Sequence, residues 1–202
     1  MGQAWTGRHD AWLRQQHLPG AAARVAFDSD YDDVLTVLAR RDRLDAAILA
    51  MAAESQFTPV VRRLGCLRGI STLIGFALAV VIGDWHRFSG TSIGCYLGLV
   101  PCQYSSGASR VQAGSPRPAT GTPRRLLVEA AWHHQARYVV GKTIRDRWDL
   151  APAPARARGD VGNRRLHRRW VRFNERGKRH VVANVAIARE LAGWCWSLAV
   201  MD

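Results

Sequence analysis

The stretch PCQYSSGASR contains two adjacent serines, Ser105 and Ser106, followed by a glycine. A serine hydroxyl attacks phosphorus once its proton is removed and nearby positive charge neutralises the developing oxyanion. Arg110, Arg124 and Arg125 follow closely and could neutralise phosphate oxygens. Neither a G-x-S-x-G elbow nor a Ser–His–Asp order accompanies the serines, so acyl transfer is unsupported. By composition alone, SSG is also typical of a solvated turn.

Two other motifs suggest chemistry that the residues around them do not support. VVGKT, residues 139–143, resembles part of a phosphate-binding loop, but Ala136 stands where the full pattern needs a glycine, and a predicted helix precedes it instead of a strand. His133 and His134 are adjacent on the same predicted helix. Their side chains therefore point about 100° apart and cannot share a metal ion. We interpret the two histidines as packing or surface residues.

The turn LRGIST separates two predicted helices and contains Gly69, Ile70 and Ser71. A glycine-centred turn between two helices can present backbone N–H groups to a DNA phosphate, with the helix N-terminus adding positive potential. The usual hairpin of this kind has two glycines flanking an apolar residue. Only Gly69 is present here, so the motif is a weak signal when taken alone.

The charge of the chain favours a polyanionic partner for its second part. The 202 residues carry a net charge of +13, and only two of the 29 basic residues are lysines. Residues 1–60 have a net charge of −2, whereas residues 61–202 have a net charge of +15. Nucleic acid is the commonest partner of such a surface, and a membrane surface is the weaker alternative. The most apolar run, GISTLIGFALAVVIG, is shorter than a membrane span.

No metal site is predicted. The four cysteines form no C-x-x-C pair and match no zinc spacing. Asp30, Asp32 and Asp33 cluster at the expected start of one helix, where acids complement the helix dipole. Two-metal chemistry needs carboxylates that converge from separate elements, and this cluster does not provide them.

The periodicity predicts a mainly α-helical protein. A helical linker or coiled-coil region covers residues 1–59, and a compact helical domain with a helix–hairpin–helix-like element covers residues 60–202. Val37, Leu44 and Met51 are seven residues apart, which predicts either half of a coiled coil or a helix packed on its own domain.

Within the second region, a loop is expected over residues 100–123 and a Pro/Ala linker over residues 151–160. A basic helix follows over residues 164–173, and its arginines either contact a nucleic-acid backbone or form a solvated face. These arginines are Arg164, Arg165, Arg168, Arg169 and Arg172.

Six segments in order resemble a known family. They are the glycine turn at 68–70, IGDWHRF at 82–88, YLGLVP at 96–101, SSG at 105–107, RRLLVEA at 124–130 and VANVAIARELA at 182–192. Together they resemble the C-terminal serine domain of the Piv-like or DEDD insertion-sequence transposases, the insertion-sequence-one-hundred-ten type. The order and spacing of the segments are far more specific than any one of them.

The resemblance implies a role for the serines and a set of partners. It places the catalytic serine at Ser106, with Ser105 as the less favoured neighbour, and implies a transient phosphoserine linkage to DNA. It further implies a separate RuvC-like domain that binds a divalent metal such as Mg²⁺, a guide RNA, and homo-oligomers formed through the coil. A cytoplasmic, nucleoid-associated location follows from such a function.

The chain departs from this family in two respects. No metal-binding domain precedes the coil in this sequence, so we expect a truncated copy that is inactive alone and needs no cofactor of its own. Residues 114–123 read GSPRPATGTP where the family usually has a stretch like Ile-Thr-Lys-Thr-Gly-Asn, and a local frameshift within residues 111–123 would explain the change. The alternatives are a non-catalytic nucleic-acid-binding helical module and an oligomerisation fragment.

Overall fold

Helices dominate the structure, which confirms the predicted mainly α class. The computed structural model describes residues 6–100, 103–106, 109–112 and 121–201, and for 103–106 and 109–112 it describes the backbone only. Contacts divide the chain into two units, residues 1–47 and 48–202. The predicted domain boundary after residue 59 stays a prediction.

The first unit is built from two helices, α1 (Gly7–Arg14) and most of α2 (Ala21–Ala53). The long helix predicted here is present, but it begins earlier than the acids indicated. The first turn of α2 contains no acid, so interpreting the acid cluster as a helix start was wrong. Val37 and Leu44 are 64% and 53% exposed, so the predicted apolar seam faces solvent in the single chain.

The second unit contains the remaining elements. They are α3 (Thr58–Leu64), α4 (Thr72–Ile82), α5 (Ser92–Tyr96), β1 (Gln103–Ser106), β2 (Ser109–Gln112), α6 (Gly121–Trp132), α7 (Lys142–Trp148), α8 (Ala153–Glu175) and α9 (His180–Ala199). The antiparallel pair β1–β2 lies where the sequence predicted only a loop. None of the helices in the described ranges combines the length and apolar content needed to cross a bilayer.

Helix α8 begins within the stretch that the sequence predicted to be a linker, so that prediction was wrong. Pro152 is the N-cap residue, and another proline occupies the first turn. A helix tolerates proline there because the first N–H groups have no intrahelical acceptor. The Pro/Ala composition therefore marks a helix start.

Helix α9 forms the centre of the core and contacts α3, α5, α6 and α8. Its buried residues Ile187, Leu191, Cys195 and Leu198 recur every three or four positions, as expected for one face of a helix. Arg63 of α3 donates through Nε to the carbonyl oxygen of Leu198 at 2.9 Å. This bond satisfies a terminal carbonyl that has no intrahelical partner.

The turn between α3 and α4 is the predicted helix–hairpin–helix-like element, and α6 and α8 fix its position. The N–H of Arg68 donates to Oδ1 of the buried Asn163 at 2.8 Å, and Nδ2 of Asn163 donates to the Cys66 carbonyl at 3.0 Å. Gly69 has a φ of 84°, and a Cβ there would lie 2.4 Å from the carbonyl oxygen of Ala130. Only glycine fits this position, since both its backbone angle and its contact exclude a side chain.

Candidate nucleic-acid interface

The predicted nucleophile lies on the β1–β2 hairpin. In the backbone register, Ser105 is opposite Arg110 and Ser106 is opposite Ser109. The side chains of these residues lie outside what the structure describes, as do residues 113–120 of the segment with the suspected frameshift. The assignment of Ser106 as the nucleophile, with Ser105 as its neighbour and Arg110 as a phosphate contact, therefore stays a prediction.

Helix α8 has one face packed against the core and another that is exposed and basic. Its buried residues include Gly159, Gly162, Leu166 and Trp170, which recur at the three- and four-residue spacing of one helical face. Gly159 allows a close approach, because a Cβ there would lie 2.6 Å from the Cβ of Cys66. Packing this face against the core leaves the five predicted arginines of α8 exposed. These five are Arg164, Arg165, Arg168, Arg169 and Arg172.

Three of the predicted arginines form ion pairs within the protein. Arg164 pairs with Asp160 one turn earlier at 2.8 Å. Arg165 and Arg169 both pair with Glu190 of α9, each at 2.6 Å. Glu190 has only 14% of its side chain exposed, so one largely buried carboxylate binds two guanidinium groups. The two pairs with Glu190 connect α8 to α9, and all three pairs neutralise part of the basic face within the protein.

The other two predicted arginines, Arg168 and Arg172, have no ion pair among the residues that the structure describes. They line a cleft of about 320 Å³ on the surface of the second unit. We call it the arginine cleft, and it is lined by Arg165, Arg168, Arg169, Arg172, Phe173 and Arg176. None of these lining residues is acidic, so the cleft favours anions.

Sequence reasoning missed Arg176 as a member of this cleft. The predicted basic helix ended at residue 173, whereas α8 continues to Glu175 and Arg176 is its C-cap residue. The signal was present, because Arg168, Arg172 and Arg176 follow the i, i+4, i+8 spacing of one helical face.

Arg124 and Arg125 lie on α6 and do not line the arginine cleft. Arg125 is exposed and Arg124 is partly exposed. The structure therefore does not join them to the α8 arginines in one site, and their predicted role as phosphate contacts stays a prediction.

The two histidines have different environments, in agreement with the packing or surface role assigned to them. His133 is exposed, whereas His134 is 1% exposed. Burial lowers the pKa of His134 to about 3, so its imidazole is neutral near pH 7. In the described part of the chain, no three His, Cys, Asp or Glu residues are grouped as metal ligands would be.

Comparison with known proteins finds a family match for the region that contains the α3–α4 turn and the strands β1 and β2. Residues 61–148 match the model of the transposase IS116/IS110/IS902 family. This segment is similar to the transposase domain of that family. The resemblance predicted from the sequence is thereby confirmed at the level of the transposase family. Helix α8 and the arginine cleft follow this domain in the chain.

Two curated transposases are similar to most of the chain. It is 30% identical, over 98% of its length, to the putative transposase y4qE of Sinorhizobium fredii (strain NBRC 101917 / NGR234), and covers 47% of that protein. It is 25% identical, over 87% of its length, to the transposase for insertion sequence element IS1533 of Leptospira borgpetersenii, and covers 51% of it. The chain thus spans about half the length of these relatives, and the similarity extends beyond the transposase domain.

Proposed function

We propose that this chain is the DNA-binding and strand-transfer part of an insertion-sequence transposase. The observation that carries the proposal is the arginine cleft, in which Arg168, Arg172 and Arg176 have no ion-pair partner among the described residues. The match of residues 61–148 to a transposase family supplies the biological context. Together these observations support DNA as the polyanion that the cleft binds.

The spacing of the three arginines suits a phosphate backbone. Residues four apart on a helix are separated by about 6 Å along its axis, so the row spans about 12 Å. Guanidinium binds phosphate oxygens through two parallel N–H groups. Each phosphate contact releases counterions, so affinity should fall steeply with salt and depend little on base sequence.

A salt titration of DNA binding tests the cleft. We would measure the affinity of the chain for a fluorescent duplex between 50 and 200 mM salt by anisotropy. Arg168→Gln with Arg172→Gln should reduce the slope of log K against log salt by about 2, because two phosphate contacts are lost. The matched control, Arg40→Gln with Arg43→Gln, removes the same charge from two exposed positions of the first unit. If the two double variants change the salt slope equally, the arginine cleft makes no specific contact with DNA and the proposal is refuted.

For strand cleavage, we propose Ser106 as the nucleophile and Ser105 as the less favoured one. Ser106 Oγ would form a bond to a backbone phosphorus while one bridging P–O bond breaks, and the departing oxygen would take a proton. The linkage remains a phosphodiester, so a second DNA end can reverse it. Arg110, Arg124 and Arg125 would neutralise the non-bridging oxygens. Support comes from the motif order and from the register that pairs Ser105 with Arg110.

A covalent-adduct assay tests the serine. The chain is incubated with DNA of the element's end and analysed under denaturing conditions, in parallel with Ser106→Ala and Ser105→Ala. We expect salt-sensitive binding without an adduct for this chain alone. An adduct that Ser106→Ala abolishes and Ser105→Ala retains would establish an active serine nucleophile and disprove the predicted inactivity. A second reaction also contains the part of a relative that this chain does not cover. If the chain binds DNA there but still forms no adduct, the result would favour a non-catalytic nucleic-acid-binding module.

The observations support a metal ion, a guide RNA and self-association to different degrees. The described residues include no suitable group of ligands for a divalent metal, so no step proposed here involves one. Binding of a guide RNA is supported by the family resemblance alone. Self-association through α2 is supported by the exposed apolar residues Val37 and Leu44, which a second copy of the helix would bury.

A further inference from the structure

A second anion-attracting cavity, separate from the arginine cleft, lies beside the turn between α3 and α4. It has a volume of about 630 Å³, and we call it the hairpin cavity. Its polar lining includes Arg68, Ser71, Thr72, His133, Lys142 and Arg147. None of the described residues that line it is acidic. Three basic side chains therefore face one cavity, and none of the described residues on its wall is a carboxylate.

The backbone at the start of α4 adds hydrogen-bond donors to this cavity. Ser71 caps the helix, and its Oγ accepts the N–H of Ile74 at 3.2 Å. Within the described ranges, the N–H groups of Ser71, Thr72 and Leu73 have no acceptor. These three residues also line the cavity, where the positive end of an 11-residue helix favours an anion.

Arg147 gives independent support, because it is a half-buried cation without a counter-charge. Its guanidinium donates to the carbonyl oxygen of Thr143 at 3.1 Å and to that of Ile70. No carboxylate of the described residues lies within ion-pair distance of it. Burial lowers the pKa of Arg147, which reflects the unfavourable desolvation of its charge. An anion in the cavity would relieve that penalty.

Arg68 and Lys142 differ in how firmly they are held. Arg68 donates through Nη1 to the carbonyl oxygens of Ala136 and Arg137 at 2.8 and 3.0 Å, and no acceptor among the described residues binds its Nε or Nη2 groups. Lys142 has 87% of its side chain exposed and only a 3.5 Å contact with Asp146. Two cations are thus fixed in place, and a third is free to move toward a ligand.

We infer that the hairpin cavity binds one phosphate group of the DNA backbone, at a site distinct from the arginine cleft. The inference rests on the proposed DNA-binding function and adds a second contact to it. The amides of α4 would donate to the phosphate oxygens, Arg68 and Arg147 would provide fixed positive charge, and Lys142 would close over the phosphate. Such a contact reads the backbone and carries no base specificity.

The test uses Lys142→Gln, because this side chain is 87% exposed and its 3.5 Å contact with Asp146 is a surface ion pair within one helix, which contributes little to stability. Arg145→Gln is the matched control, since Arg145 lies on the same helix, is exposed and does not line the cavity. With the fluorescent duplex, Lys142→Gln should reduce the salt slope by about 1, corresponding to one lost phosphate contact. Arg145→Gln should leave the slope unchanged. Equal slopes for Lys142→Gln and the unaltered chain would overturn the inference.

A comparison of the salt slopes and one further measurement separate this inference from its alternatives. If Lys142→Gln has no effect while the Arg168 and Arg172 variants do, the hairpin site fails and the proposed function stands. If none of the variants changes the slope, both fail. Inorganic pyrophosphate is the probe for a free phosphate ligand. If it raises the melting temperature of the unaltered chain but not that of Lys142→Gln, and the DNA slope does not change, the site binds small polyphosphates and the DNA assignment is wrong.

Discussion

Glu190 restrains two arginines of the basic face, and its replacement should strengthen DNA binding while weakening the fold. Its two carboxylate oxygens accept hydrogen bonds from Arg165 and Arg169, each at 2.6 Å. Both arginines line the arginine cleft. Glu190→Gln removes the negative charge beside the cleft and releases both guanidinium groups toward a phosphate backbone.

The size of the effect follows from counterion release. Each additional phosphate contact contributes about 0.9 to the salt slope, which amounts to about 8-fold in affinity at 0.1 M salt relative to 1 M. One freed arginine gives about that factor, and two give an upper limit of about 60-fold. Stability should change in the opposite direction, by about 1 kcal/mol, because two charge-assisted hydrogen bonds weaken. The loss is kept small because Arg165 and Arg169 are 60% and 44% exposed.

Anisotropy with the fluorescent duplex and urea unfolding measure the two effects on the same preparation. Glu129→Gln is the matched control, because Glu129 is an exposed acid on α6 that makes no ion pair with a described residue. It removes the same formal charge, so it reveals any general effect of net charge. A loss of affinity on Glu190→Gln would show that the ion pairs orient Arg165 and Arg169 for DNA. The reasoning that they compete with DNA would then be wrong.

Three other predictions concern the fold and the assembly. Gly69→Ala should destabilise the second unit by about 2–5 kcal/mol in urea unfolding, because a Cβ would lie 2.4 Å from the Ala130 carbonyl oxygen at a φ of 84°; near-native stability would contradict the clash. The pKa of His134 is about 3 in the folded state, below the 6.5 of an unperturbed histidine, so between these values the unfolded state binds one more proton. The free energy of unfolding should therefore fall by about 1.4 kcal/mol for each unit that the pH is lowered from 6.5 toward 3. His134→Leu should remove that part of the pH dependence, and an unchanged slope would exclude His134 as its source. Leu44→Glu should reduce the mass measured by light scattering if α2 associates through its exposed seam, whereas a chain that is monomeric before the change would exclude that association.

The helices could be predicted well from sequence because their periodicity is local. The misplaced boundaries have specific physical causes. Prolines in the first turn of α8 gave the composition of a linker, although helices accept proline there. The acids of α2 lie inside the helix, so their clustering did not mark its start. The strands of the β1–β2 pair are four residues each, too short for alternation to be distinguished from a loop.

The candidate site was only partly predictable, because the partners of each arginine come from distant positions. The sequence placed Arg165 and Arg168 on one basic helix but could not show that only Arg165 is paired. Its partner, Glu190, is 25 residues further along the chain and lies on another helix. The hairpin cavity was harder still to predict from the sequence, because it brings the start of α4 together with Lys142 of α7, about 70 residues later in the chain.

The arginine cleft and the turn beside the hairpin cavity are both held by α8, on different faces of the helix. Asn163, on the buried face of α8, accepts the N–H of Arg68 and donates to the Cys66 carbonyl, which fixes the turn beside the cavity. Arg168, on the exposed face, lies five residues later in α8, or about 7.5 Å along its axis. Because a continuous helix connects them, the two sites cannot shift along its length independently. A DNA backbone that occupied both would therefore meet a preformed spacing, and ordering the protein would take little from the binding free energy.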